Sequence, residues 1–500
     1  MRNKRLAWNT ISSLFLQITT VICGFVLPRL ILNCYGSEVN GLISSITQFL
    51  SLISFLDCGV GIVVQSALYK PLADNDISQI NLIVSSANNF FKKLAYILVV
   101  YVFVLIVVLP YLIDTSFSKE YITSLILILS VNSFVQYYLS VVDSVILAAN
   151  QKAYISNILQ CVTLILNALL SVILILNQYS IHFVRFSTML VYLLKPIITH
   201  MYVQKKYAIN RKAKYTEEPI TQKWNGTAQH VAAIVLDNTD IVILTFFSTI
   251  NTVSVYSVYN LVVTGVRQII LTVGNGFHSY WGSLFAEKRY KKIVTSFNYI
   301  EWFFHTIVVL LFGVTGILIV PFIGIYTSGI KEVNYYQPLF AVLMVLAQAI
   351  RCIRQPYNTL IQAIGHYKQT QICYVIAAII NIIVSIIAVR PWGLVGVALG
   401  TVVAMLYQLV WMMCYDSKVI LFRDIKVAVK QIVVDVILVI ICVWICILFD
   451  FNTVTDYKEW IFLAVRIVCI WGTVSIIVNF IVYRKYLMVL IHKIEEGSNS

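Results

Sequence analysis

The side chains of this 500-residue chain that could carry chemistry are charged groups set inside long apolar segments. A charge at the centre of an isolated membrane helix costs roughly 2.5–3.5 kcal/mol on insertion scales. Such side chains are therefore expected to line a water-filled cavity or to pair with one another rather than to face lipid. The candidates are Arg29, Asp57, Lys195, Asp237, Asp240, Arg267, Arg351, Arg354 and Asp435.

The basic members of this set predict a binding site for an anion. Lys195, Arg267 and Arg351 lie roughly 20 Å below the outer ends of their predicted helices, near the midplane, at about 1.5 Å per residue. Arginine suits phosphate because its planar guanidinium group binds two oxygens at once. A cationic cleft between two helical lobes is predicted, with the substrate-binding candidates Arg29, Lys195, Arg267, Arg351 and Arg354. The open alternative is structural pairing of these cations with Asp57, Asp143, Asp237 and Asp240.

The acidic members are candidates for ion coupling. Asp237 and Asp240 stand three residues apart on one predicted helix, with Asn238 and Thr239 between them, and Asp57 precedes the Gly59-x-Gly61 pair. Each could hold a proton or Na⁺ that couples transport to an ion gradient. The alternative, that they only balance the arginines, stays open. Apart from such a coupling ion, no cofactor or metal is expected.

The composition shows what kind of elements must position these groups. Sixty per cent of the residues are hydrophobic and only 12% are charged, whereas soluble proteins carry about 25% charged residues. This excludes a cytosolic enzyme, a secreted disulfide scaffold and a disordered protein, and it indicates an all-α, polytopic membrane protein. A spanning helix needs about 20 apolar residues. On that criterion fourteen spans are predicted, at 8–32, 42–66, 92–113, 122–147, 155–176, 181–203, 228–248, 253–283, 302–326, 338–361, 370–389, 393–414, 431–449 and 460–482.

The distribution of Lys and Arg predicts the orientation. With the N-terminus inside, 25 of the 36 Lys and Arg residues fall in cytoplasmic segments and 4 in outer segments. This asymmetry is typical of a multi-pass protein with both termini in the cytoplasm, and it accounts for the net charge of +14 without nucleic acid. Arg185 and Arg466 lie in the outer thirds of their spans, where snorkelling to the interface is the favoured interpretation.

Four short motifs recur in order about 215 residues apart, which predicts an internal duplication. They are Trp8-Asn9 and Trp224-Asn225, Gly59-x-Gly61 and Gly274-x-Gly276, Leu109-Pro110-Tyr111 and Val320-Pro321-Phe322, and the junctions 148–152 and 363–368. The predicted architecture is two six-helix lobes with two appended helices. Its boundaries are an N-terminal lobe at 1–203, a basic cytoplasmic linker at 204–227, a C-terminal lobe at 228–415, the appended helices at 416–483 and a cytoplasmic tail at 484–500.

Motifs of enzymes are missing from the sequence. It contains no phosphate-binding loop, no dinucleotide-binding glycine pattern, no nucleophile elbow and no zinc-protease signature. Transport driven by ATP through this chain alone is therefore not expected, and the chain is predicted not to be an enzyme.

The segment Leu27–Gly41, running into Phe55–Gly61, resembles the opening of bacterial polysaccharide flippases. These are the Wzx-type O-antigen and capsule repeat-unit transporters of the multidrug/oligosaccharidyl-lipid/polysaccharide (MOP) exporter superfamily. The junctions Ala148–Lys152 and Ala363–Lys368 are similar to those after helices four and ten in that family. The six-plus-six-plus-two arrangement extends the resemblance over the whole chain.

The resemblance implies a function. It implies a V-shaped pair of lobes that moves an undecaprenyl-pyrophosphate-linked oligosaccharide from the inner to the outer leaflet of the bacterial cytoplasmic membrane, driven by an ion gradient. Cationic cavity residues would hold the anionic groups of the substrate, and Arg29 and Arg267 match such positions best by helix and depth. Membrane lipids, a polysaccharide polymerase and glycosyltransferases of the same pathway are the expected partners. The last two helices, which contain Asp435 and Arg466, resemble a lipid-binding groove of lipid II flippases, and their role stays open.

Four other interpretations compete with this one. A cation-coupled multidrug exporter of the MATE type has the same architecture, but such proteins usually have twelve helices and acidic cavities. A related lipid-linked substrate, such as lipid II or a teichoic-type precursor, is compatible with the same residues. A membrane-embedded glycosyltransferase or polymerase is disfavoured because the predicted outer loops have only about ten residues, too few for an outer catalytic domain. A purely structural partner of a biosynthetic complex would leave the embedded charges without a purpose.

Overall fold

The chain is described by a computed structural model that covers residues 2–57, 59–207, 209–220, 227–448 and 454–486. Every regular element in these ranges is helical. The α-helices are α1 Arg2–Ser51, α2 Val60–Asp74, α3 Ile77–Leu112, α4 Lys119–Val135, α5 Val141–Ala149, α6 Ala153–Leu176, α7 Ile181–Lys206, α8 Thr227–Phe247, α9 Ile250–Ala286, α10 Tyr290–Tyr326, α11 Pro338–Ile353, α12 Gln355–Ala363, α13 Tyr367–Trp392, α14 Leu394–Tyr415, α15 Lys426–Leu448 and α16 Tyr457–Val482.

Within the described residues, 13 helical segments are long and apolar enough to cross a membrane. The first of them, Trp8–Phe55, contains predicted span one and the start of span two. Between these two spans, α1 is kinked at Gly36. Gly36 has φ = 84° and ψ = 176°, a conformation open to glycine but strained for other residues. The segments overlap all fourteen predicted spans, which confirms the fold class: an all-helical, multi-pass membrane protein.

The chain divides into two compact units. The first comprises residues 1–257 and 329–333, and the second comprises residues 258–328 and 334–500. Each unit has its own apolar core: α2, α3 and α5 build one in the first, while α10, α15 and α16 build one in the second. The lobe boundaries derived from the sequence stay a prediction.

The junction between α5 and α6 of the first unit is built by two of the repeated motifs. Gln151 adopts a left-handed conformation with φ = 55°. The side chain of Asn9 binds on both sides of this turn, donating to the carbonyl of Gln151 (3.2 Å) and accepting from the backbone N–H of Tyr154 (2.8 Å). Asn150 donates to the hydroxyl of Tyr207, just beyond α7 (2.8 Å). The Trp8-Asn9 motif therefore joins α1 to the junction between α5 and α6, and Asn150 joins this junction to the end of α7.

The corresponding junction of the second unit, between α12 and α13, also has a left-handed residue and a contact with a tyrosine. Gly365 supplies the left-handed turn with φ = 79°, and His366 Nδ1 lies 3.0 Å from the hydroxyl of Tyr415 at the end of α14. In both units a residue of this junction thus contacts a tyrosine at the end of the sixth helix of the repeat. This recurrence supports the predicted duplication. Trp224-Asn225, the proposed counterpart of Trp8-Asn9, lies outside the described residues.

The two appended helices pack against α10. Trp471 of α16 is 1% exposed, and a Cβ atom placed on Gly313 of α10 would lie 1.9 Å from its ring. Asn479 of α16 accepts a hydrogen bond from Trp302 Nε1 (2.6 Å). Gly313 is therefore a point of very close approach between α10 and α16, and the absence of a side chain there allows the indole to stay buried.

Replacing Gly313 with alanine is expected to destabilise the second unit by about 1–3 kcal/mol, because the rigid, buried Trp471 cannot give way without moving α16. Gly324→Ala on the same helix is the matched control, since no atom lies within 4 Å of a Cβ atom placed there. That control is expected to stabilise α10 by up to about 1 kcal/mol through helix propensity. Unfolding in detergent, followed by intrinsic tryptophan fluorescence, measures both, and equal effects of the two substitutions would contradict this packing.

Candidate functional site

A cationic group lies in the second unit, where α9 meets α11. Arg267 of α9 donates from Nη1 to Oε1 of Gln348 on α11 (3.3 Å). Arg351, one helical turn after Gln348, is half-buried like Arg267. Cys352 lies within electrostatic reach of Arg267, Arg351 and Arg354. The three predicted cations of this unit therefore surround Cys352: Arg267 comes from α9, and Arg351 and Arg354 come from the end of α11 and the residue that follows it.

Arg354 differs from its two neighbours because it is packed into the helices. The α11 helix ends at Ile353 and α12 begins at Gln355, with Pro356 in its first turn, where proline is tolerated. Arg354 stands at this interruption and is 6% exposed. Its guanidinium group lies 5.8 Å from the ring centre of Tyr374 and its Nη1 lies 3.8 Å from Met412 Sδ. These contacts favour a packing role for Arg354, and its predicted part in substrate binding stays a prediction.

Arg29 and Lys195 both belong to the first unit. Arg29 follows Pro28 inside α1, and Lys195 precedes Pro196 inside α7. Both side chains are half-buried. Proline removes a backbone hydrogen bond within a helix and bends it, so each cation lies beside a point where its helix can bend. Their predicted role in substrate binding stays a prediction.

The two carboxylates of α8 have different environments. Asp240 is 7% exposed and accepts a hydrogen bond from the hydroxyl of Tyr256 on α9 (2.9 Å). Asp237 is exposed. Asn238 between them accepts a hydrogen bond from the hydroxyl of Ser51 at the end of α1 (2.9 Å). Asp240 and Asn238 therefore take part in packing within the first unit, whereas Asp237 is the more accessible carboxylate of this helix.

Asp57 lies in a break between two helices. The α1 helix ends at Ser51, residues Leu52–Phe55 form a short 3₁₀ turn, and Gly59 adopts φ = 72° before α2 begins. The Oδ1 atom of Asp57 is buried and has no hydrogen-bond partner among the described residues. His230 of α8 is close by, since its ring would be 3.7 Å from a Cβ atom on Gly59. Interrupted membrane helices offer carbonyl oxygens as well as side chains to an ion, so this break has the chemistry of an ion site.

The predicted repeat is not uniform here. Gly274-x-Gly276, the counterpart of Gly59-x-Gly61, lies inside the continuous helix α9. The helix break is therefore a feature of the first unit, and the sequence pattern alone does not reveal it.

Asp435, whose role the sequence left open, contacts a histidine in the second unit. His305 Nδ1 of α10 lies 2.5 Å from Asp435 Oδ2 of α15. A small enclosed cavity of about 10 Å³ adjoins the pair, which is roughly the size needed for one water molecule. This contact joins the first appended helix to α10.

Two buried carboxylates paired with loop arginines were not predicted as sites from the sequence. In the first unit, Asp143 is fully buried and binds both His200 (2.8 Å) and Arg211. In the second unit, Glu301 is fully buried and binds Arg423, whose Nη1 lies 2.6 Å from Glu301 Oε2. The available signal lay in the arginines alone, which are 212 residues apart, close to the offset of the repeat; the carboxylates, 158 residues apart, do not follow it.

The electrostatics of Arg423 illustrate how such a pair is held. Burial alone would lower the pKa of the Arg423 guanidinium, but hydrogen bonds to Glu301 and its negative charge raise that pKa above its usual value. Arg423 thus stays charged although its side chain is only 6% exposed. Tyr357 also donates its hydroxyl hydrogen to Glu301, so the carboxylate has several donors around it.

Solved structures of membrane transporters share this fold. No family model and no curated protein matches the sequence. The lipid II flippase MurJ in an inward closed conformation is 17% identical, with a TM-score of 0.71, and the alignment covers 96% of this chain and 99% of that chain. An inward-facing multidrug resistance MATE transporter of the MOP superfamily is 15% identical, with a TM-score of 0.60 and coverage of 83% and 98%. The MATE multidrug transporter DinF-BH is 14% identical, with a TM-score of 0.59 and coverage of 84% and 97%.

At these identities the likeness establishes the fold and leaves the substrate open. The chain has the helical architecture common to MurJ and the MATE transporters. The MurJ match covers more of this chain than the two MATE matches do.

Proposed function

We propose that this protein is a flippase for an anionic, lipid-linked oligosaccharide. The observation that carries the proposal is the group of Arg267, Gln348 and Arg351 on α9 and α11. Arg267 Nη1 donates to the side-chain oxygen of Gln348 (3.3 Å), and this hydrogen bond joins α9 to α11. Two half-buried guanidinium groups close together suit phosphate, which accepts paired hydrogen bonds from each.

The proposed substrate is an undecaprenyl-pyrophosphate-linked repeat unit for a bacterial surface polysaccharide. The near-complete overlap with MurJ, whose name specifies lipid II, supports a lipid-linked substrate over a soluble drug. The protein would act in the cytoplasmic membrane with both termini in the cytoplasm, as a transporter rather than an enzyme. A polysaccharide polymerase and glycosyltransferases of the same pathway are proposed as neighbours in the membrane.

Alternating access would be coupled to Na⁺ or H⁺, and Asp57 is the strongest of the three acidic candidates. It combines a helix break, a buried oxygen without a partner among the described residues and a nearby imidazole. Asp240 already has a hydrogen-bond donor, and Asp237 is exposed.

Replacing Asp57 with asparagine is expected to lower gradient-driven translocation at least about tenfold, because the neutral amide loses the charge that binds the coupling ion, a difference of about 1.4 kcal/mol or more. The initial rate in proteoliposomes with and without an imposed Na⁺ or H⁺ gradient measures this effect. Asp237→Asn is the matched control and should retain most of the response to the gradient. If Asp57→Asn responds to the gradient as the wild type does, Asp57 is not the coupling site.

A binding experiment distinguishes the proposed substrate class from drugs. The purified protein is titrated with a short-chain prenyl-pyrophosphate oligosaccharide, with the same lipid lacking the pyrophosphate, and with a small organic cation. Preferential stabilisation by the pyrophosphate lipid is expected, since ligands stabilise the state that binds them. Stabilisation by the organic cation alone would favour a multidrug exporter and overturn the proposal.

A further inference from the structure

The first unit contains a further cationic feature, centred on Arg185. A cavity of about 330 Å³ lies between α1, α4 and α7. Its wall is partly apolar, but several polar side chains also line it. They are Thr47, Ser51, Asn132, Ser133, Arg185, Thr188 and Tyr192.

Arg185 is the only cation among the described residues that line this cavity, and no carboxylate is among them. Its Nε atom is buried without a hydrogen-bond partner in the described part of the chain. The sequence favours snorkelling for Arg185, yet here the side chain borders this cavity.

Two arginines outside the spanning helices show a different arrangement. Arg211 and Arg423 each bind a fully buried carboxylate of their own unit. Arg185 is half-buried, and withdrawing part of a cation from water without a partner of opposite charge is unfavourable, so an anion from outside the chain would complete its environment.

Further donors stand around the same space. The hydroxyl of Tyr192 accepts a hydrogen bond from Asn167 (2.8 Å), which leaves its own hydrogen for another acceptor. Asn132 and Ser133 of α4 add an amide and a hydroxyl to the lining. The hydroxyl of Ser51 is not available to a ligand as a donor, because it lies 2.7 Å from the carbonyl of Gln48. The cavity therefore presents one cation and several neutral donors.

We propose that this cavity binds a phosphate group through Arg185. A guanidinium fork pairs with two oxygens of a tetrahedral oxyanion, and the remaining oxygens accept from hydroxyl and amide donors. A halide ion, by contrast, has a single acceptor centre and would fill little of a 330 Å³ cavity. The phosphate could belong to the headgroup of an anionic lipid or be inorganic phosphate, and the chemistry of recognition is the same.

The test measures thermal unfolding of the purified, full-length protein in a non-ionic detergent. Inorganic phosphate is titrated against chloride at constant ionic strength, and dihexanoyl phosphatidic acid is titrated against a neutral lipid of equal chain length. Wild type is compared with Arg185→Gln, with Arg185→Lys and with Arg466→Gln. Arg466 is a matched control because it is an exposed arginine within a spanning helix.

Wild type is expected to be stabilised by phosphate or by phosphatidic acid, and Arg185→Gln to bind at least about tenfold more weakly, since the charge-assisted hydrogen bonds are lost. Arg185→Lys should bind with intermediate affinity because it keeps the positive charge without the planar guanidinium group, and Arg466→Gln should bind as wild type does.

Binding of the lipid alone identifies a headgroup site, and binding of inorganic phosphate identifies a free-anion site; either result supports the proposal. Equal affinities of wild type and Arg185→Gln, or no stabilisation of wild type by either probe, would overturn it. If Arg185→Gln does not fold, the comparison of Arg185→Lys with wild type decides.

Discussion

Arg267→Ala is expected to reduce the initial rate of lipid-linked oligosaccharide translocation by about 10- to 100-fold, because hydrogen bonds to a charged group contribute about 1.5–3 kcal/mol. Arg267 is half-buried, and its hydrogen bond to Gln348 Oε1, at 3.3 Å, is long. The substitution should therefore leave the fold intact while removing the proposed contact to the pyrophosphate. Translocation in proteoliposomes, normalised to the amount of inserted protein, measures the effect.

Two variants show whether the loss arises from the proposed contact. Arg267→Lys keeps the charge and loses the planar fork, so an intermediate rate is expected. Arg466→Ala removes an exposed arginine from α16 and is expected to transport at nearly the wild-type rate. If Arg267→Ala transports as fast as the wild type, the guanidinium cluster of the second unit does not hold the substrate.

Arg423→Ala is expected to lower the free energy of unfolding by about 3–5 kcal/mol, because breaking a buried ion pair leaves an uncompensated charge. Glu301 is fully buried, and Arg423 is its ionic partner in the described structure. Arg423 Nη1 also donates to Asn298 Oδ1 at 2.5 Å, so one side chain ties the loop after α14 to α10. Denaturant unfolding in detergent measures the loss.

The double variant Glu301→Gln/Arg423→Met separates charge from packing. It is expected to recover a large part of the stability, since removing both charges leaves no unpaired ion. Lys426→Ala is the surface control: Lys426 and Asp424 are both exposed and their charged atoms are 3.9 Å apart, so no measurable change is expected. Equal stability of Arg423→Ala and wild type would contradict a structural role for this pair.

The architecture was predictable because lipid imposes a simple rule on sequence. Backbone groups in the membrane must be satisfied within helices, so uninterrupted apolar segments of sufficient length identify spans. All fourteen predicted spans overlap helices, although α10 begins at Tyr290, well before the predicted start at residue 302. Glu301 therefore lies inside a helix, and it was missed as a site because a charge at a span end resembles an ordinary boundary residue.

The pairing of side chains was less predictable because it depends on tertiary packing. Arg211 and Arg423 contribute to the predicted cytoplasmic excess of positive charge, and nothing in that count distinguishes a paired arginine from a solvated one. The similar depths of Arg267 and Arg351 predicted that they belong to one site, and this stays a prediction; the packing of Arg354 against aromatic and thioether groups was not predictable from depth. Helical periodicity places residues on a face, but it does not reveal which neighbouring helix covers that face.

The helix break at Asp57 shows the same limit. Gly59-x-Gly61 and Gly274-x-Gly276 are counterparts in the predicted repeat. The structure has a break at the first pair and a continuous helix at the second. Glycine permits a left-handed residue, but the surrounding packing decides whether one forms.

The most direct test of the flippase proposal is a leaflet assay in proteoliposomes. A prenyl-pyrophosphate oligosaccharide is placed in both leaflets, and a membrane-impermeant sugar-modifying reagent reports the fraction that reaches the outside over time. Wild-type protein is expected to move this lipid across the membrane, faster with an imposed ion gradient, and not to move the same lipid without its pyrophosphate. Protein that leaves both lipids where they were placed while expelling small organic cations would contradict the proposal, and the arginines of α9 and α11 would then be structural.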